Sequence, residues 1–242
     1  MTQWPKRLPP LSPEDKRICD DFMEHWHDVY PRRYSLADRF CHQYVARHRP
    51  ARFLRTLEIG SGLGEHLKYE PLTQEQERHY VAVETRENMV QRLRRNCPGI
   101  QTRLGDCQER LDFPDNYFDR IIAINVLEHL PNLPAAIREM HRLCDKASGV
   151  FSIVIPCEGG LAYALAREIS AKRIFQKRYK RPYHIFISRE HINVPREIVS
   201  ELAPWFEFTR MTYFPVPIPL EFCNLFIGAI LKPRLAPASE GA

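Results

Sequence analysis

The chain has 242 residues, 44% of them hydrophobic and 27% charged, and a net charge of +5. That is enough apolar material for one sizeable core; the positive charge is too modest for a dedicated nucleic-acid binder, and no apolar run approaches a membrane span. Seven cysteines, odd in number and without a C-x-x-C pair, indicate reduced thiols rather than a disulfide frame or a zinc site, and with no apolar signal segment near Met1 the expected compartment is the cytoplasm.

In chain order, Ser12 before Pro13, Glu14 and Asp15 reads as a helix start. Helices are expected over 14–29 and 35–47, interrupted by Pro31, and form an N-terminal helical cap of residues 1–50. The cap carries His25, Trp26, His27, Tyr30 and Tyr34 at spacings that read as packing more than as a substrate pocket. A core domain of residues 51–232 begins with a strand at 53–59 and passes into Gly60-Ser61-Gly62-Leu63-Gly64. Glycines at alternate positions leave no side chain between backbone and ligand, so this turn reads as a cofactor cradle. A helix over 63–69 would add N–H groups that favour negative charge. The dinucleotide fingerprint G-x-G-x-x-G needs its third glycine where this chain has Glu65, whose carboxylate would repel a pyrophosphate.

A second strand at 80–84 ends in Glu84, at the separation where an acid meets ribose hydroxyls. A third, 100–104, runs into Gly105-Asp106-Cys107, where Asp106 can accept from an adenine amino group. A fourth, 120–124, closes on Asn125-Val126-Leu127-Glu128-His129-Leu130, and a fifth, 149–155, is closed by Pro156. Helices are expected over 87–96 and 133–143. Every polar candidate falls at the carboxyl end of a strand, where open α/β sheets bind ligands. Residues 157–194 then interrupt the alternation with an insertion that carries Lys172, Arg173, Lys177, Arg178, Lys180 and Arg181 among aromatic residues. A helix over 195–202 and strands near 206–213 and 222–231 complete the pattern, and the tail 233–242 is expected to be disordered. Prolines at 215, 217 and 219 make the last connection stiff, either a connector or an apolar wall for a lipid-like or aromatic substrate.

The E-I-G-x-G-x-G run from Glu58, the acid Glu84, the Gly105-Asp106 pair and Leu127-Glu128-His129-Leu130 together resemble the core of class I SAM-dependent methyltransferases. The resemblance covers residues 54–156 by motif and 205–231 by strand pattern only. It implies a Rossmann-like, seven-stranded, mostly parallel α/β sheet with helices on both faces and an antiparallel last strand. N-terminal helices and a helical insertion after the fifth strand are added to it. By resemblance Glu58, Gly60, Gly62 and Gly64 line the methionine and ribose side of SAM, Glu84 holds the ribose, Asp106 and Cys107 the adenine, and Asn125 lies beneath the cofactor. Glu84 stands where many relatives have Asp, with the same charge and a longer reach.

The expected reaction is methyl transfer to oxygen or nitrogen of a small-molecule, sugar or lipid-like acceptor, with S-adenosyl-L-homocysteine as product. A hydroxyl acceptor also needs a base, for which His129 and His191 are the candidates, with His184 as a third. Glu128, His129 and Glu158 show no recognisable ligand spacing, so no metal is expected. The basic insertion reads either as a solvated helix face or as a contact for an anionic acceptor or a membrane surface, and nucleic acid is not expected as a partner. The alternatives are an RNA or protein methyltransferase and a non-catalytic nucleotide-binding domain; Asn125-Val126-Leu127-Glu128 is not the N/D-P-P-Y/F motif of many amino-directed nucleic-acid enzymes.

Overall fold

In a computed structural model, which describes residues 2–235, seven strands form one sheet. They are β1 (Thr56–Ile59), β2 (Tyr80–Glu84), β3 (Gln101–Leu104), β4 (Arg120–Ile124), β5 (Val150–Pro156), β6 (Phe206–Phe214) and β7 (Phe226–Pro233), in the order β3-β2-β1-β4-β5-β7-β6. The first five are mutually parallel, and β7 runs antiparallel to both β5 and β6. β1, β2 and β5 are buried along their whole length, which is why they read as unbroken apolar runs rather than alternating ones. From β1 the chain steps outward to β2 and β3, then returns to β4 on the other side of β1. The crevice at the carboxyl ends of β1 and β4 is therefore the switch point, where such sheets accept ligands.

The helices are α1 (Pro13–Arg33), α2 (Ser35–Arg47), α3 (Gln74–Arg78), α4 (Glu87–Asn96), α5 (Leu133–Leu143), α6 (Leu161–Arg167), α7 (Arg173–Tyr179), α8 (His184–Glu190) and α9 (Pro195–Leu202). Alternation along the central strands feeds two cores. Ile121, Ala123 and Ile153 pack with Ile137 of α5 and Ile198 of α9. Ile122 and Val154 pack on the other face with Cys41, Tyr44 and Val45 of α2. α2 is thus part of the fold's second layer and not a detached cap.

Several expectations are corrected. α1 does not stop before Pro31 but continues to Arg33. A proline inside a helix removes a hydrogen bond, yet the ring contacts of Trp26 with Tyr30 (5.5 Å) and Tyr34 (5.7 Å) bridge the break. No α-helix spans 63–69; the chain makes turns and one 3-10 turn, His66–Lys68, because Gly64 takes φ 83°. The short α3 was not expected, although its capping box, Thr73 with Gln76, was visible in the sequence. The tail begins later than position 233: Pro233 ends β7, and Arg234 bonds to the carbonyls of Trp205 and Ala203. The rest of the expected tail, 236–242, lies outside the described residues.

Beneath β1 and β4 lies a buried ion network. Arg120, with no exposed surface, donates to Glu70 Oε2 (2.9 Å) and to the Val45 carbonyl (3.2 Å). His66 Nε2 lies 3.0 Å from the same carboxylate, and Arg49 donates to its other oxygen at 2.8 Å. Burial works against ionisation of Glu70, but the His66 bond and the Arg120 charge outweigh it and hold the carboxyl at about 2. Since that value lies below the ordinary 4.5, the contribution of Glu70 is complete above 4.5 and is withdrawn as pH falls toward about 2. Glu70→Gln leaves Arg120 buried without its counter-charge, and unfolding in urea at pH 7 should show a loss of about 3–5 kcal/mol. A loss below roughly 1 kcal/mol, the range of exposed pairs, would mean that the network contributes no more than a surface contact.

Candidate active site

β1 delivers the chain to a turn in which Gly60, Gly62 and Gly64 have φ of 62°, 55° and 83°. At Gly60 a Cβ would sit 2.4 Å from Val126, so only glycine lets the β1 turn meet the β4 turn. The amides of this turn are answered by the chain's own acids: Gly62 N–H donates to Glu84 Oε2 (3.2 Å) and Leu63 N–H to Glu65 Oε2 (3.0 Å). The other oxygen of Glu84 accepts from the Thr85 and Arg86 amides (2.9 and 3.1 Å). With no helix start here and two carboxylates already on the amides, the turn offers no seat for a pyrophosphate. Glu65 lines the cavity; burial opposes its ionisation, but the His27 ring and the Leu63 amide hold its carboxyl below the usual range.

These tips open into a cavity of about 1000 Å³. Of the expected cofactor residues, Glu58, Gly60, Gly62, Glu84, Asp106, Cys107 and Asn125 all line it. Gly64 does not: a Cβ there would meet Leu93 at 2.7 Å and Cys97 at 3.0 Å, so this glycine serves the packing of α4. Burial pushes Glu58 up to about 8, although the Tyr80 hydroxyl donates to it at 2.8 Å. Asp106 accepts from the Gln108 amide at 2.9 Å, which fixes the turn after β3. Asn125, at φ 53°, places a buried Oδ1 with no hydrogen-bond partner.

The cavity is roofed by the additions to the sheet. Trp26, His27 and Tyr30 of α1 and Tyr34 at its C-terminal end all line it, so residues read more as packing than as pocket also form its wall; His25 does not line it. Phe22 of α1 packs edge-on against Phe175 (5.0 Å) and Phe186 (4.8 Å) of the insertion, which fastens the two together. Two cations of the basic run reinforce this, Arg178 pairing with Asp21 (3.3 Å) and Arg181 with Glu14 (2.8 Å), while Lys172 pairs within the insertion with Glu168 (2.8 Å). The proline-rich segment lies outside the cavity, bound to buried Asn224, so of its two readings it is a connector and not an apolar wall.

Both His129 and His191 line the cavity, with rings 5.1 Å apart and nearly perpendicular. The backbone sets this up: the Ile192 and Asn193 amides donate to the Glu128 carbonyl (2.9 and 3.0 Å), and Asn193 Nδ2 donates to the carbonyls of Leu127 and Leu130 (2.7 and 2.8 Å). His129 Nδ1 bonds the Glu190 carbonyl, and His191 Nδ1 lies 2.9 Å from Glu158 Oε2. Burial keeps the His129 ring well below its usual value, hence neutral, and pushes Glu128 up to about 7. His184 is exposed and lies outside the cavity, which removes it as a candidate base. Sequence reasoning missed Tyr163 and Glu190 as wall residues, because both lie in the insertion, where the strand and helix alternation that locates the other site residues is interrupted.

Residues 57–153 match the family described as methyltransferase domain. Residues 57–153 thus form a methyltransferase domain, on a fold shared with SAM-dependent methyltransferases. No curated protein sequence matches it. Among solved structures it is similar to a TehB-like SAM-dependent methyltransferase of Corynebacterium glutamicum, with 14% identity, TM-score 0.60, and coverage of 89% of this chain and 98% of that one. A SAM-dependent methyltransferase of Thermotoga maritima shows 18% identity, TM-score 0.59, and coverage of 88% and 99%. The [4+2]-cyclase SpnF, at 14% identity, TM-score 0.56 and coverage of 84% and 82%, shares the same fold. Such likeness establishes architecture, and the acceptor must be argued from the site.

The cofactor of the methyltransferase is SAM, and the residues present fit it. The glycine turn leaves backbone open to the cavity, Glu84 and Asp106 bring carboxylates to its wall, and no phosphate seat competes. The two glycines separate the roles. Gly62 faces the cavity, where a Cβ already comes within 3.0 Å of His27; Gly62→Val should weaken S-adenosylhomocysteine binding roughly 100-fold or more in calorimetry. Gly64→Val should instead lower stability by about 1–3 kcal/mol or more through crowding against Leu93. Equal binding by wild type and Gly62→Val would mean that the cradle lies elsewhere.

Proposed function

We propose that this methyltransferase transfers a methyl group to an oxygen or nitrogen of a small, lipid-like acceptor. The observation that carries this reading is the roofed cavity: α1 and the insertion close over the strand tips, with aromatic rings on the acceptor side and two histidines facing in. A volume of about 1000 Å³ is at the upper end for a single ligand site, which suits a cofactor and a compact acceptor together. A folded RNA or a protein surface needs an open groove instead.

SAM supplies an electrophilic methyl carbon on a sulfonium. The chain's own part is to orient the acceptor, exclude water and receive a proton. Closure by the Phe22, Phe175 and Phe186 cluster keeps the cavity dry. Since Nδ1 of each histidine is held by an oxygen, Nε2 is the nitrogen left to meet the acceptor. Near-attack placement of this kind is worth up to about 7–11 kcal/mol of a reaction barrier.

The exterior supports the lipid-like part of the reading. Leu161, Leu165 and Ile169 are 63%, 58% and 75% exposed, and Ile169 also lines the cavity, at its mouth. The α6 start abuts Glu221, which brings exposed Phe222 and Leu220 alongside. Arg173, Lys177 and Lys180 are exposed and have no ion-pair partner among the described residues. An apolar stripe beside free cations suits an anionic lipid surface. No described helix is long and apolar enough to cross a membrane, so the contact would be peripheral.

Two measurements test this. With methyl-labelled SAM and fractionated cell extract, label should enter the lipid or small-molecule fraction, and label in RNA or protein would overturn the reading. With vesicles rich in anionic lipid, wild type should co-sediment, and Leu165→Asp with Ile169→Asp should lose roughly 10-fold or more in binding. Unchanged sedimentation in the double variant would remove the membrane contact.

A further inference from the structure

Glu128 is 1% exposed, and neither of its carboxylate oxygens has a hydrogen-bond partner. A buried carboxylate left in this way is costly unless something else compensates it. It does not stand alone. One donor atom from each of Glu128, His129 and His191 lies within 4.8 Å of the other two, and His129 Nε2 is 3.6 Å from Glu128 Oε1.

The outer contacts of the two histidines are as informative as the rings. His129 Nδ1–H is taken by the Glu190 carbonyl, and His191 Nδ1–H by Glu158, itself held by Arg167. Each histidine therefore keeps an Nε2 without a hydrogen-bond partner among the described residues, on a residue that lines the cavity. A carbonyl or carboxylate on the far nitrogen is the arrangement that fixes tautomer and ring orientation in metal-ligating histidines. A single general base would account for one such histidine. Two of them, with an unpaired carboxylate between, make a two-histidine, one-carboxylate ligand set.

We propose that Glu128, His129 and His191 bind one divalent transition-metal cation at the acceptor end of the cavity. Bonds of about 2.0–2.2 Å place ligand atoms about 3–3.5 Å apart, so the side chains close in by roughly 1 Å on binding. Two imidazoles select the zinc, iron and cobalt type of ion over magnesium or calcium. Three protein ligands leave positions open, as in catalytic rather than structural sites. The purpose of the site rests on the proposed methyl transfer: an acceptor hydroxyl would take an open position, be oriented toward the cofactor and release its proton to solvent more readily on the cation, the histidines then serving as ligands in place of a base. The binding itself does not depend on that reading. Spacing along the chain hides the set, because His191 reaches His129 only through the Asn193 clamp.

The test is calorimetric titration of the chelator-stripped full-length protein with Zn2+, with Mg2+ in parallel and Co2+ followed by visible absorption. Wild type should take up one Zn2+ per chain and no Mg2+. Glu128→Gln and His191→Ala should each lose roughly 100-fold or more in affinity, and Glu158→Gln about 10–100-fold. His184→Ala, exposed and outside the cavity, should bind as wild type. A thermal shift with S-adenosylhomocysteine in every variant shows that the fold is retained. No Zn2+ uptake by wild type, or equal affinity in all folded variants, overturns the site. Methyl uptake by small-molecule fractions at full rate in protein that takes up no Zn2+ would sink the metal and keep the proposed function. Tight Zn2+ binding with label entering only RNA or protein would do the reverse.

Discussion

The acid on the tip of β2 holds the cofactor end of this molecule together. Glu84 accepts from Gly62 on the β1 turn and from Thr85 and Arg86 on its own turn, so one buried carboxylate ties two strand tips. Each bond is charge-assisted and sits away from bulk water, where such bonds are strongest. Its consequence is chemical as well as mechanical. Amides that would cradle a phosphate are already satisfied, here by Glu84 and beside it by Glu65. The same glycine-rich turn that serves dinucleotides in other sheets is thereby closed to pyrophosphate and left open to a cofactor without one.

A second constraint acts on the acceptor side. The turn after β4 and the segment before α9 are distant in sequence but are joined by four hydrogen bonds through Glu128, Ile192 and Asn193. This clamp places two histidines with nearly perpendicular rings beyond the carboxyl end of β4, and Glu158 and Glu190 orient them. The insertion between β5 and α9 thus does more than cover the sheet. It brings the chemistry of one turn to the chemistry of another.

Closure of the cavity is a packing problem solved by aromatic residues. Phe22, Phe175 and Phe186 fasten α1 to α7 and α8, and ion pairs from the basic run hold the rim. The cations left over stand beside an exposed leucine and isoleucine stripe. One surface thus divides into an inner half committed to structure and an outer half free to meet a partner.

The sequence alone determined the sheet and the cofactor side. Buried parallel strands are continuous apolar runs, and the glycines and acids lie within a few positions of those runs, so β2, α4, β4, α5 and α9 were legible to the residue. Seven of the eight residues expected at the cofactor line the cavity for the same reason, since a strand tip carries its neighbours with it. Tertiary structure decided the rest. Gly64 turned toward α4 and not toward the ligand, the expected helix at 63–69 gave way to turns, and α1 ran through Pro31 because its aromatic contacts outweighed the missing hydrogen bond. The roof, and the meeting of Glu128, His129 and His191, depend on contacts between segments about 60 or more residues apart. Periodicity and local spacing carry no record of such distances, because only folding brings those segments together.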